Sequence, residues 1–311
     1  MKWLALAILA AIPFALPSQS LVNIAMLTAF SAFLGQCWNI AGGFGGLTSF
    51  GHAVFFGTGA YTGAILQTRY GLNPWLGLPA GFLLGAAVGA GIGAASFRAG
   101  LRGSYFALVT LAFAEVFRVL SNSTDFTRGG LGINIPLNLS WQNFQFADRR
   151  ATYAVVLALL VLATAAATWL TRSRFGARLA ALRENEDAAS ALGVDLVQTK
   201  TLALALSGGL TAMAGVVYAQ TYLYIDPTIA FGSERSVEML LVAMIGGAGT
   251  VWGPLLGAVV LHLVADISRN FITTPGFAPM LYGVVLLLII ALLPQGLAGL
   301  WATLRERIRR A

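Results

Sequence analysis

The chain has 311 residues, 58% of them hydrophobic and only 10% charged, against about 25% charged in ordinary soluble domains. So few charges cannot cover the surface of a soluble protein, and the net charge of +7 lies between apolar stretches rather than in a nucleic-acid-binding patch. A lone Cys37 excludes an intramolecular disulfide, and His52 and His262 without an HExxH pattern leave little for a zinc site.

A helix needs about 20 apolar residues to cross a bilayer. No Asp, Glu, Lys or Arg occurs from Trp3 to Thr68, Tyr70 to Phe97, Ala151 to Thr171, Thr201 to Ile225, Met239 to Ala265 or Asn270 to Leu304. A membrane β-barrel would alternate apolar and polar residues, whereas Leu281–Leu293 is apolar apart from Tyr282 and Gly283. The fold class is therefore an all-α polytopic membrane protein of eight to ten spans.

In chain order, Met1-Lys2 followed by Trp3–Leu16 fits both a secretory signal peptide and a short or tilted first span. The absence of a clear A-x-A site before Ser18 favours the span. Further spans are expected at Leu21–Ile40, Thr48–Gln67, Trp75–Phe97, Ser104–Leu120, Ala151–Thr171, Leu202–Leu223, Val237–Ala248, Trp252–Ile267 and Phe277–Leu293. Val237–Ala248 is short for a full crossing. The Lys/Arg bias places Lys2, Arg98–Arg102, Arg172–Lys200 and Arg305–Arg310 in the cytoplasm. Arg69, Ser121–Arg150, Tyr224–Ser236 and Asp266–Gly276 then fall outside, with Arg128, Arg149 and Arg150 running against the bias.

The chain contains 36 glycines, and Gly85, Gly89 and Gly93 share one helical face, as close helix packing in membranes requires. That does not account for Gly42-Gly43-Phe44-Gly45-Gly46, whose glycines should not propagate a helix. A related stretch recurs at Gly246-Gly247-Ala248-Gly249. Non-helical backbone at membrane depth must be buried in protein or line a cavity, and broken helices of this kind mark transport sites. The candidate path residues are thus Gly42, Gly43, Gly45, Gly46, Ser49, His52, Glu115, Gly246, Gly247 and Gly249. Glu115 shares a helical face with Arg118, and intramembrane charges leave a structural hydrogen bond and a solute contact equally open. His52 reads first as a buried, satisfied histidine and second as a solute contact. Asp266 and Arg269 are expected to pair on the outer surface, and Arg305–Arg310 to bind anionic lipid at about 1 kcal/mol per basic residue.

Between two spans, Arg172–Lys200 carries a short helix, Glu186–Leu192, with Asn185 as N-cap, Glu186 and Asp187 in the first turn and Gly193 after its end. A helix so short is marginal alone, so it should dock on something, and Ala188, Ala189 and Ala191 offer a small-residue surface. A solvated turn is the simpler alternative. Neither Lys2 nor Lys200 follows a glycine, so ATP is not bound through a Walker A loop.

The spacing Asp187-Ala188-Ala189-x-x-x-Gly193 resembles the E-A-A-x-x-x-G loop of ABC importer permeases, with Asp for Glu. Other matching stretches are Gly45–Ala53, Gly57-x-Gly59-Ala60-Tyr61, Leu101-Arg102-Gly103-x-Tyr105-Phe106-Ala107 and Thr110–Glu115. Arg174-Phe175-Gly176, Arg183–Ala189, Ile245–Pro254 and Pro294-Gln295-Gly296-Leu297 complete the ordered set. Through these the chain resembles the branched-chain amino acid ABC transporter permeases, of the M type. Where the family often has Gly-Gln-Leu-Ser-Leu-Gly, this chain has Gly46-Leu47-Thr48-Ser49-Phe50-Gly51, and Gly130 stands where a Pro is common.

The resemblance implies one permease domain over 1–311, with a periplasmic loop 121–150, a cytoplasmic ATPase-coupling loop 172–200 and a basic tail 305–311. It implies a second related permease, two cytoplasmic ABC ATPases, a periplasmic solute-binding protein and a bacterial inner-membrane location, with no cofactor of the chain's own. The coupling residues would be Arg183, Glu184, Asn185, Glu186, Asp187, Ala188, Ala189 and Gly193. The solute would be a branched-chain amino acid or, within the same family, urea or a short amide. An ion-coupled secondary transporter and a non-transporting assembly subunit are the rival functions.

Overall fold

The computed structural model describes residues 18–271, 280, 283–284 and 296–299, with side chains through Ala265 in the last long helix. The expected span Trp3–Leu16, most of Phe277–Leu293 and the Arg305–Arg310 tail lie outside the described residues, and the expected Asp266–Arg269 pair outside the described side chains.

Helix α1, Gln19–Asn39, starts at Ser18, whose Oγ accepts from Leu21 N, and ends in a π-helical turn, Ile40–Phe44. Extended chain leads to α2, Ala53–Thr68, and a 3-10 turn at Pro74–Leu76 opens α3, Gly77–Arg98. Helix α4, Gly103–Ser123, is followed by strand β1, Ile133–Asn134, and by α5, Arg149–Leu170, capped by Asp148. The charged loop forms α6, Arg174–Glu184, and α7, Glu186–Ala191, before α8, Leu196–Tyr222, capped by Asp195. Strand β2, Tyr224–Ile225, pairs antiparallel with β1, Ile133 opposite Ile225. Then come α9, Pro227–Phe231, α10, Ser233–Gly246, and α11, Gly253–Phe271.

Among the described residues, five helices are long and apolar enough to cross a membrane: Gln19–Phe44, Pro74–Arg98, Gly103–Ser123, Arg149–Leu170 and Leu196–Tyr222. The expected continuous span Thr48–Gln67 is corrected. Its helix begins only at Ala53, because Gly51 lies against the Thr110 backbone, where a Cβ would come within 2.1 Å of the carbonyl oxygen. Helix α8 begins at Leu196, earlier than the expected Leu202, since Glu186 receives the Lys200 ammonium and lets that charge be buried. The expected outer loop Tyr224–Ser236 is also corrected: past Ile225 the chain turns inward along α2. Phe231 stacks on Tyr61 with ring centroids 5.7 Å apart, and Ser236 Oγ accepts from Ala53 N at 2.8 Å. The helix path along α2 is therefore broken at Gly232, between α9 and α10.

Small residues hold the centre together. Gly81, Gly85, Gly89 and Gly93 of α3 lie on Val216, Gly208, Leu204 and Thr201 of α8, while Gly59 of α2 lies on Ala212 from another side. Backbones at that separation gain dispersion contacts without burying polar side chains. The loops gather at two opposite ends. At one, Arg69 donates to the Asp125 carbonyl, Trp75 to the Trp141 carbonyl, and β1 meets β2. At the other, the segments around Gly43, Arg102, Arg183 and Gly249 meet.

Candidate solute path and coupling loop

The two glycine-rich stretches, remote in sequence, touch. Asn39 Oδ1 accepts from Gly249 N at 2.7 Å and Asn39 Nδ2 donates to the Thr250 carbonyl at 2.9 Å. A Cβ on Gly43 would lie 1.9 Å from Asn39 Oδ1 and 2.4 Å from Gly249 N. The first stretch does not simply break the helix, as expected. Gly42 and Gly43 continue it as the π turn, a wider winding frequent at functional sites, and left-handed backbone begins at Gly46, φ 65°. Gly247 and Gly249 carry positive φ in the second stretch, and Gly296 rests on Gly247.

From Gly46 the chain runs inward through Ser49 and Gly51 to His52. This non-helical run is buried in protein: Trp38 Nε1 donates to the Ser49 carbonyl at 2.9 Å, and Phe50 N to Thr110 Oγ1 at 3.1 Å. His52 is fully buried, with Nδ1 at 3.1 Å from Ser49 Oγ and Nε2 at 2.8 Å from Ser207 Oγ, and Ser207 donates onward to the Cys37 carbonyl. Both ring nitrogens are engaged, which matches the satisfied-histidine alternative. Ser49 and His52 therefore brace the inward run.

Helix α4 is the least enclosed of the five long helices, and one of its faces is flanked by two cavities. The first, about 540 Å³, is lined by Thr48 and Phe50 of the inward run and by Ser104, Ala107, Leu108 and Leu111 of α4. The second, about 510 Å³, lies further along between Glu115 and Arg118 of α4 and the segment Thr228–Glu238. Ser104, Leu108, Leu111, Glu115 and Arg118 recur at helical spacing, so both cavities follow a single stripe. Each faces a break in helical structure, at Gly46–His52 and at Gly232. Glu115 grips Arg118 through two hydrogen bonds, 2.9 and 2.5 Å. Of the expected path residues, Glu115 alone lines these two cavities. Gly43, Gly45, Gly246, Gly247 and Gly249 instead make close backbone contacts at or next to the glycine junction, while Gly42 lies on the Trp38 ring and Gly46 under the Arg183 stem.

The charged loop is tied to both walls of the first cavity. Arg102, the residue before α4, bonds Glu186 at 3.1 Å and Asp187 at 3.0 Å, and Glu186 also takes the Lys200 ammonium. Arg183 donates from Nη1 to the Gly43 carbonyl at 2.8 Å, and its stem covers Gly46. Asn185 caps α7 by accepting from Ala188 N, and Gly193 leaves it at φ 85°. One expectation changes: Ala189 offers no docking surface. Arg183 faces the glycine junction, and Ala189 is buried against the chain itself, held by its bond to Asn185 and by the return of Val194 N to its carbonyl. Outward lie Asp187, Ala188, Ser190 and Ala191 of α7 and, just past its end, Leu192, 86% exposed. Glu184 is also exposed. The Arg102 pairs and the Arg183 bond to Gly43 were not legible in the sequence, because each joins residues remote along the chain.

A family model described as branched-chain amino acid transport system / permease component matches residues 20–293. The chain belongs to that permease family. It is 33% identical over 304 residues to the Escherichia coli K12 high-affinity branched-chain amino acid transport system permease protein LivM, covering 90% of this chain and 70% of that protein. To Salmonella typhimurium LivH of the same named system it is 25% identical, over 90% of this chain and 95% of the relative. A Methanocaldococcus jannaschii probable branched-chain amino acid transport permease protein LivM is 29% identical over 63% of this chain and 60% of its own length. No solved structure matches. The permease is thus a multi-pass membrane protein of the Liv type, whose relatives are transport permeases rather than enzymes.

Proposed function

We propose that this chain is a permease subunit of an ABC importer carrying branched-chain or related small amino acids across a bacterial inner membrane. About ten spans are proposed, with the Arg172–Lys200 loop and the C-terminus in the cytoplasm. The observation that carries this is the stripe on α4, with a cavity and a non-helical break at each of two levels, tied at one end to the charged loop. A second related permease covers the open face of α4, two cytoplasmic ATPases dock on α7, and a periplasmic binding protein delivers solute near the 121–150 loop.

In this mechanism ATP binding draws the ATPases together and displaces α7. Arg102 passes the displacement to the start of α4, and Arg183 passes it to the inward run Gly46–His52, so the first cavity opens or closes. Such a shift requires that ATP and the loaded binding protein bind the two states with different affinity. The test is ATP-dependent uptake of leucine into vesicles containing both permeases, the ATPases and the binding protein. Uptake of urea or acetamide in place of leucine would move the solute within the family, and uptake driven by an ion gradient without ATP would overturn the importer.

Leu192→Glu is expected to weaken ATPase co-purification at least tenfold while the membrane domain keeps its thermal stability. Leu192 touches little of its own chain, so a carboxylate there opposes only docking. Unchanged co-purification would place the ATPase contact elsewhere.

A further inference from the structure

We infer that the cavity between α4 and Thr228–Glu238 holds the charged ends of an α-amino acid zwitterion, while the cavity lined by Thr48 and Ser104 gives it an uncharged way out. The inference rests on the importer proposed above and names where its solute is recognised.

Five ionisable side chains line the first of these cavities: Glu115, Arg118, Glu234, Arg235 and Glu238. Glu115 lies twelve residues into α4, about 18 Å from its start at 1.5 Å per residue, so it sits well within the span. Its side chain is 59% exposed in this chain. An exposed charge at that depth cannot face acyl chains and instead faces a partner or a water-filled path.

The charges form two opposed pairs on facing helices. Glu115 and Arg118 are joined on α4, and Arg235 Nη1 bonds Glu238 Oε2 at 3.0 Å on α10. The second pair is fixed in place: Glu238 Oε1 also accepts from Ser31 Oγ at 2.8 Å, and Arg235 lies over the Tyr218 ring at 4.9 Å. The first pair is open. Glu234 makes no ion pair among the described residues.

A zwitterion brings a cation and an anion a few ångströms apart, and this arrangement offers it both partners at once. Its carboxylate can take donors from Arg118, and its ammonium can sit by Glu115 or Glu234, each exchange replacing one charge-assisted bond with another. The solute therefore loses little of its hydration energy without compensation. The cavity at Thr48 and Ser104 contains no charged residue: its lining is Thr48, Phe50, Gly103, Ser104, Ala107, Leu108 and Leu111. Nothing there can hold the charged ends, which favours release toward the coupling loop.

The test uses the complete complex in vesicles, with Cys37→Ala and a single new thiol at Thr228→Cys. A second variant, Ser233→Cys, reads the same cavity should the first assemble poorly. Labelling by a cationic methanethiosulfonate reagent is measured with and without leucine and its loaded binding protein. Leucine should slow labelling at least fivefold, while urea and acetamide at the same concentration leave it unchanged. Adding Glu115→Gln should remove the protection. Leucine uptake with an unchanged labelling rate would overturn the inference and leave the importer standing, and so would equal protection by urea. A wild-type complex that takes up urea or acetamide but no leucine would sink the inference alone, and one that takes up none of the three would sink the importer with it.

Discussion

Gly59→Val is expected to lose the folded permease. A Cβ at Gly59 would come 1.8 Å from the Ala212 carbonyl oxygen and 2.6 Å from its Cα. These are backbone atoms, so no rotamer change relieves the overlap. Helix α8 cannot retreat either, because on its other side Gly208 lies against the Gly85 carbonyl and Gly209 against Phe82, both of α3. Overpacking a tight core typically costs about 1–3 kcal/mol, and a backbone clash belongs at the upper end. Yield of monodisperse protein in detergent should fall severalfold, and the remainder should melt at least 10 °C lower. Gly91→Val is the control: nothing lies within 4 Å of its Cβ position, so only helix propensity changes, by less than about 1 kcal/mol. Equal melting of the two variants would mean that α2 and α8 are not in this contact.

Arg183→Ala is expected to separate ATP hydrolysis from transport. The guanidinium is the described side-chain link from the charged loop to the Gly43 carbonyl, and its stem covers Gly46. A hydrogen bond to a charged group contributes about 1.5–3 kcal/mol, roughly a ten- to hundredfold change in an equilibrium. Leucine uptake should fall at least tenfold, while the ATPases still co-purify and hydrolyse ATP without stimulation by the loaded binding protein. Arg183→Lys should recover part of the uptake, since an ammonium supplies one donor but not a planar fork. Normal uptake in Arg183→Ala would place the coupling on Arg102 alone.

Much of the helical layout was legible because charge-free length and capping are local properties. The expected Ala151 and Ser104 starts fall close to the observed Arg149 and Gly103, and the short helix is bounded by the Asn185 side-chain oxygen at its start and by the positive φ that Gly193 can adopt after its end. What sequence missed was set by contacts at long range. The inward course of Thr228–Ser236 was hidden by its charges: Glu234 and Arg235 look like a solvated loop, yet they line a cavity, and Arg235 pairs with Glu238 of the next turn. The Asp226-Pro227 start and Gly232 were the available signals for a short helix followed by a break. Likewise, two glycine-rich stretches can each be recognised alone, but nothing in either says that Asn39 will bridge them.

The seam of small residues on α8 also bears on which parts of the protein can yield. Glycine and alanine have no rotamers to freeze, so their contacts form without the entropy cost that long side chains carry. They also leave no soft side chain to absorb a displacement. Of the most apolar window of α8, 72% is buried, against 22% for α4. Mechanical compliance should therefore be uneven: α2, α3 and α8, joined by close backbone contacts, form the stiff part, and α4, which shares few of those contacts, is the helix free to turn. A load applied through Arg102 would then rotate one helix rather than distort the bundle, and the work of a hydrolysis cycle would be concentrated along the face that borders both cavities.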